Sequence, residues 1–134
     1  MTVYLDTSAL VAVAVDGAAR SVVIDALERD TDWCSSALSI SEAMALVARL
    51  TDEVALQSEL EDAVQLLWDR MAVVPVDQPC LDRAAWITRE QPVKIADAIH
   101  LAAADRLPRP ISYVTFDSAQ IPVALSMGFD VVST

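Results

Sequence analysis

Short runs of β-branched and aromatic residues alternate with longer stretches in which apolar side chains recur at helical spacing. That alternation is the pattern of a parallel sheet covered by helices on both faces. Val3–Leu5 reads as a buried strand, Ser8–Val15 as a short apolar helix stopped at Gly17, and Ala18–Arg29 as a helix with Val22, Val23, Ala26 and Leu27 on one face. Trp33–Ser35 is a second short strand. Ser39 or Ser41 is placed to cap a helix running to Leu50, and Thr51, followed by Asp52 and Glu53, opens a long helix ending near Arg70, so the two form a helical hairpin. Ala72–Val76 follows as the third strand, Leu81–Glu90 and Ala96–Leu107 as helices, the latter ended by Pro108, and Tyr113–Phe116 as the fourth strand. Ser118–Met127 is a helix closed by Gly128, and Val131–Ser133 a last edge strand. The expected class is α/β with a short parallel sheet of four to five strands.

Composition narrows this picture. The chain has 134 residues, 54% of them hydrophobic, with a mean hydropathy of +0.40, enough apolar material for one packed core. Two glycines, six scattered prolines and no low-complexity tract leave nothing that reads as a linker, so a single domain over residues 1–134 is expected. The start MTVYLDTSAL lacks a basic n-region and a cleavage site, and the apolar run Ala9–Val15 is too short to span a bilayer. These features predict a soluble cytoplasmic protein without membrane contact. Cys34 and Cys80 are read as buried free thiols, since a chain this apolar needs no disulfide.

Nine Lys+Arg against twenty Asp+Glu give a net charge of -11, the wrong sign for holding nucleic acid by a broad basic face. The charge is uneven, however. Residues 83–109 carry Arg83, Arg89, Lys94, Arg106 and Arg109 against Glu90, Asp97 and Asp105, which leaves open a local basic strip beside an acidic site.

Most of the acids, among them Asp25, Glu28, Asp62 and Asp82, fall on polar helix faces or at helix ends and read as solvated surface. Four others interrupt apolar sequence, where a carboxylate is costly unless a cation or hydrogen bonds compensate it. Asp6 directly follows the strand VYL and Asp117 directly follows YVTF, which places both at the carboxyl edge of a parallel sheet, where open α/β sheets bind ligands. Glu42 is the only charge in Leu38–Ala48, and Asp97 lies in KIADAIHLAAA. Each has a structural explanation: Asp6 and Asp117 as helix caps, Asp97 as a first-turn partner of the helix dipole, Glu42 as a satisfied buried carboxylate. Taken together, four acids on elements that converge at one sheet edge are better explained by a hard divalent cation, which takes oxygen ligands from several segments.

At these residues the sequence resembles the PIN-domain family, in particular the VapC-type toxins of bacterial and archaeal toxin–antitoxin pairs. The likeness spans the chain through YLDTSAL (4–10), SISEAMALVARL (39–50), IADAIHLAAA (95–104) and VTFD (114–117) followed by GFDVV. It implies a PIN-like three-layer α/β/α fold and a site in which Asp6, Glu42, Asp97 and Asp117 bind Mg²⁺ or Mn²⁺, with Thr7, Ser8 and Thr115 as small polar neighbours. It also implies hydrolysis of RNA phosphodiesters, a VapB-type antitoxin as partner, and a homodimer. The strongly acidic total charge departs from what an RNA-binding enzyme would favour, and bears on substrate affinity more than on catalysis.

Clustered carboxylates without a nucleophilic Cys or a Ser–His pair suit metal-assisted hydrolysis. Asp6 and Asp97 would hold the principal ion, Glu42 would orient it or position water, and Asp117 would complete the site. His100, at i+3 from Asp97, shares its helical side and is read as a packing residue, although a general-base role can be drawn. Trp33, Trp68 and Trp86 are read as core or partner-surface residues rather than base-stacking platforms. A phosphoacceptor receiver domain would want an acid pair after the first strand and a lysine after a late one, but Asp6 stands alone and Lys94 precedes a helix. A haloacid-dehalogenase-type phosphatase would want an acid where Ser8 stands. The stronger alternative is a non-catalytic PIN-like module that binds RNA or protein.

Overall fold

The computed structural model describes residues 2–134. Five strands, β1 (Thr2–Leu5), β2 (Asp32–Ser36), β3 (Ala72–Val74), β4 (Ile111–Val114) and β5 (Asp130–Val132), form one sheet in the order β3-β2-β1-β4-β5, and every neighbouring pair is parallel. Strand β1 lies at the centre and is buried throughout, as a strand covered on both faces must be. The chain leaves β1 toward β2 and β3 on one side and returns later to β4 on the other. The carboxyl ends of β1 and β4 therefore flank a topological switch point, the place where such sheets open a crevice.

Seven helices surround the sheet: α1 (Thr7–Ala12), α2 (Ala18–Arg29), α3 (Ala37–Leu50), α4 (Val54–Trp68), α5 (Gln78–Glu90), α6 (Ile95–Asp105) and α7 (Ile121–Ser126). Alternation along the strands divides the core. Tyr4, Cys34, Val74, Ile111 and Tyr113 pack under α5, α6 and α7 on one face, while Val3, Leu5 and Val114 meet Ala9, Ala12, Val23, Ala26 and Leu27 of α1 and α2 on the other. The run Ala102–Ala104 is buried, and its small side chains let α6 lie close to its neighbours. The hairpin α3–α4 packs on α1 through Leu10, Val11, Ala43, Val47 and Val64. The resulting three layers are the α/β/α arrangement expected from the sequence.

Several boundaries differ from the pattern-based reading. Helix α3 begins at Ala37 with Ser36 in the cap position, and Ser39, expected as a cap, lies inside the helix and is fully buried. Asp77 caps α5 by accepting from Cys80 N at 3.1 Å, which starts that helix three residues before Leu81. Strand β4 ends at Val114, and residues 118–120 form a turn before α7, so Asp117 sits in a loop rather than directly after a strand. Gly128, at φ 84°, supplies the left-handed residue that ends α7. Cys34 and Cys80 are buried and unpaired, as expected. Among the described residues no helix is long and apolar enough to cross a membrane.

Candidate active site

The acidic residues gather around the carboxyl ends of β1 and β4, each held by different chemistry. Asp6 follows β1 and is 1% exposed. Its Oδ1 accepts from Ser8 Oγ at 2.6 Å and from Ala9 N at 3.0 Å, capping α1, and its Oδ2 accepts from Thr115 Oγ1 at 2.5 Å. Burial pushes the Asp6 carboxyl above the ordinary aspartate range, against the pull of those three bonds and of the His100 ring. The residue expected at the site is thus also the cap of α1.

The hydroxyls on Asp6 also tie β1 to the loop after β4. Ser8 Oγ accepts from Phe116 N at 2.9 Å, and Thr115 Oγ1 accepts from Asp117 N at 3.1 Å. Asp117 in turn accepts from Ala119 N at 2.9 Å through Oδ1, which turns the loop and fixes its own carboxylate at the cleft. Opposite it stands Asp97, in the first turn of α6, whose Oδ1 accepts from Gln120 Nε2 at 3.0 Å. Gln120 is itself buried, its Oε1 taking the Tyr113 hydroxyl at 2.6 Å. Burial, together with the charge of Asp117 beside it, holds the Asp97 carboxyl above the ordinary range, and the bond from Gln120 only partly offsets this.

Glu42, from the second turn of α3, behaves in the opposite way. Its Oε1 accepts from Thr7 Oγ1 at 2.6 Å and from His100 Nε2 at 2.7 Å. Burial would raise its pKa, but the bonds from His100 and Thr7 outweigh burial and hold it below the ordinary glutamate range. His100 is 2% exposed, and its Nδ1 meets the Tyr4 hydroxyl at 2.9 Å. Burial raises the Tyr4 phenol far above its ordinary value, so it stays protonated and can donate.

The structure thus brings Asp97 and Asp117 side by side, links Asp6 to Asp117 through Thr115, and ties Glu42 to His100. Among the described residues, no three Asp, Glu, His or Cys side chains converge closely enough to ligate one ion as they stand. Composition and pattern did not single out Tyr4 or Gln120; neither interrupts the sequence the way an isolated charge does, and their partners lie on other elements. His100, expected as a packing residue with a general-base role as the alternative, has both ring nitrogens engaged. Three of the five basic residues of the stretch 83–109 are paired away from the acids, Arg83 and Arg109 with Asp105 and Arg106 with Asp77, all at the far end of α6 from Asp97, whereas Lys94 precedes α6 at the Asp97 end.

A family model described as the PIN domain matches residues 3–133. The chain belongs to the PIN domain family. A comparison with curated proteins finds no match. Among solved structures, this PIN domain resembles FitAcB from Neisseria gonorrhoeae (20% identity, 97% of this chain and 96% of that one, TM-score 0.71). It also resembles VapBC-5 of Mycobacterium tuberculosis, a member of the VapBC family of toxin–antitoxin systems (15% identity, 99% and 98%, TM-score 0.68). A third is VapBC2 from Rickettsia felis, bound to a DNA fragment from its promoter (12% identity, 100% and 99%, TM-score 0.69). At these identities the likeness is one of fold.

The donor set of this PIN domain suits a hard cation. It consists of carboxylate oxygens, the ligands that Mg²⁺ and Mn²⁺ prefer, and a bound cation would favour the ionised form of Asp97, which burial and the charge of Asp117 disfavour. Asp6 has three of its roughly four lone-pair directions taken and keeps one. Both bonds to Glu42 fall on Oε1, so Oε2 has no partner among the described residues.

Proposed function

We propose that this PIN domain is a metal-dependent endoribonuclease toxin of the VapC type, hydrolysing RNA phosphodiester bonds and neutralised by a cognate VapB-type antitoxin. The observation that carries the proposal is the pairing of Asp97 with Asp117 at the switch point. Two carboxylates from separate elements come together there, and Asp97 is driven above its ordinary range by burial and then by the charge of Asp117. Like charges held together in this way are more common at functional sites than in structural networks.

In this reading Asp6, Asp97 and Asp117 supply oxygen ligands for Mg²⁺ or Mn²⁺, and Glu42 contributes a further oxygen or orients the attacking water. When bound, the cation activates water and stabilises the charge that develops on the phosphoryl oxygens. Thr115 and Ser8 fix Asp6, and Gln120, anchored by Tyr113, fixes the Asp97 carboxylate toward the cleft. Cation charge also offsets the local negative field, so that a chain carrying -11 overall can admit an RNA phosphate.

The antitoxin reading has its own support. A groove of about 520 Å³, away from the acidic cleft, is lined by Ile24, Leu27, Leu66, Leu67, Arg20 and Arg70 among others, and Leu66 is 72% exposed there. Such a groove suits the apolar side of an amphipathic segment. The antitoxin would lie along it and bring an arginine to the acids, pairing with carboxylates otherwise free for metal. The solved relatives include complexes described as toxin–antitoxin. A twofold dimer built on the α3–α4 hairpin belongs to the same proposal.

One observation favours the alternative, a non-catalytic PIN module that binds RNA or protein. Asp6 is almost saturated by internal hydrogen bonds, and among the described residues no three ligands converge. Incubating RNA with the protein in Mg²⁺ or Mn²⁺ and in EDTA separates the two. Cleavage that EDTA abolishes and that D97N and D117N lack supports the enzyme; intact RNA in every condition supports the binding module.

A further inference from the structure

His100 sits in α6 among Ala98, Leu101 and Ala102, all fully buried, where an imidazole is costly unless both nitrogens are satisfied. Both are, by groups from three other elements. Tyr4 of β1 meets Nδ1 at 2.9 Å, Ser39 of α3 lies 3.5 Å from the same nitrogen, and Nε2 faces Glu42 of α3 at 2.7 Å and Thr7 of α1 at 3.1 Å. A carboxylate only accepts, so Nε2 carries the proton toward Glu42 and Nδ1 can take the Tyr4 hydroxyl. Tyr4 cannot swing away, since its ring stacks on Tyr113 at 5.3 Å and meets the His100 ring edge-on at 6.2 Å. The result is a rigid line of hydrogen bonds from the central strand to a carboxylate.

Glu42 is the opposite kind of residue, a flexible side chain with 33% exposure. Unheld, it would spread over several rotamers. Both hydrogen bonds land on one oxygen, so the line distinguishes Oε1 from Oε2. Packing alone would be served as well by an apolar residue at position 100, without the cost of a buried polar network.

We propose that His100, anchored by Tyr4, is a positioning residue that holds Glu42 by Oε1 and keeps Oε2 free as the oxygen offered to a divalent cation. The inference rests on the metal-dependent reading above for its cation but not for the geometry. His100 itself touches no substrate.

Two substitutions separate positioning from packing. H100Q can retain a donor near the Nε2 position, whereas H100N places its amide short of Glu42. Crystal structures of the metal-free variants show Glu42 directly, and Mn²⁺ titration calorimetry on the same proteins reads its consequence. The expected result is an ordered Glu42 and most of the wild-type affinity in H100Q, against a displaced or multiply placed Glu42 and Mn²⁺ binding weakened by about 10- to 100-fold in H100N. If H100N does not fold, Tyr4→Phe, which keeps the aromatic stack, is expected to show the same loss of Glu42 order and a smaller weakening of Mn²⁺ binding. Glu42 unmoved and Mn²⁺ affinity unchanged in H100N would overturn the proposal, as would equal losses in H100Q and H100N. Wild-type protein that binds no Mn²⁺, in company with a released Glu42 in H100N, would sink the nuclease reading and leave the positioning role standing.

Discussion

At the scale of residues, the molecule places two acids where their charges oppose folding. D97N removes one of those charges and can keep the bond from Gln120 through its amide oxygen. The expected outcome is loss of RNA cleavage together with a melting temperature raised by a few degrees in the metal-free protein. A lower melting temperature with unchanged cleavage would make Asp97 structural. The pH dependence follows the same sign. Folded Asp97 keeps its proton to higher pH than the unfolded residue, so metal-free stability falls as pH rises from the ordinary aspartate range through the raised value. Subtracting the D97N curve from the wild-type curve should isolate that falling limb, with Asp6, raised by burial, keeping its own share in both. Thr115 makes the complementary case: Thr115→Val removes a donor from buried Asp6 and the acceptor of Asp117 N, and should cost about 2 kcal/mol in urea unfolding. A loss under about 0.5 kcal/mol would mean that the web around Asp6 relaxes without it. The acids themselves were legible because a charge inside apolar sequence demands a reason. Tyr4 and Gln120 were not, because the partners that give them meaning, His100 and Asp97, are distant in sequence.

Elements were legible in number, order and type, and less so at their ends. The sequence pattern places strand β4 two residues late since Thr115 and Phe116 have strand-forming side chains, but Thr115 turns its hydroxyl to Asp6 and the loop. The pattern begins helix α5 late because its start depends on Asp77 and on Pro79 in the first turn, signals weaker than the apolar stripe that follows. The helices also differ in how they are held. Helix α6 buries Ala98 and the run His100–Ala104, whereas α4 buries Val64 alone and leaves Val54 81% exposed. Amide exchange in the isolated chain should therefore be slowest in α6 and fastest among the long helices in α4. Comparable protection in the two would show that α4 is already covered, by a second copy of the chain or by its own packing.

For the whole molecule, the acidic cleft and the apolar groove are separate surfaces, the first proposed for catalysis and the second for the body of the partner. Leu66→Glu alters an exposed groove residue far from the acids in role. It should abolish co-purification with the protein encoded by the adjacent reading frame while leaving RNA cleavage intact. Retained co-purification would move the partner to another face. In the proposed function a divalent cation binds at the carboxyl ends of β1 and β4. Anomalous diffraction from a crystal soaked in Mn²⁺ locates such an ion without reference to activity. The expected result is a peak within about 2.3 Å of oxygens from Asp97 and Asp117, with Asp6 or Glu42 as a further ligand directly or through water. A cleft that stays empty at saturating Mn²⁺, with peaks only at exposed acids such as Asp16 or Asp82, would contradict it.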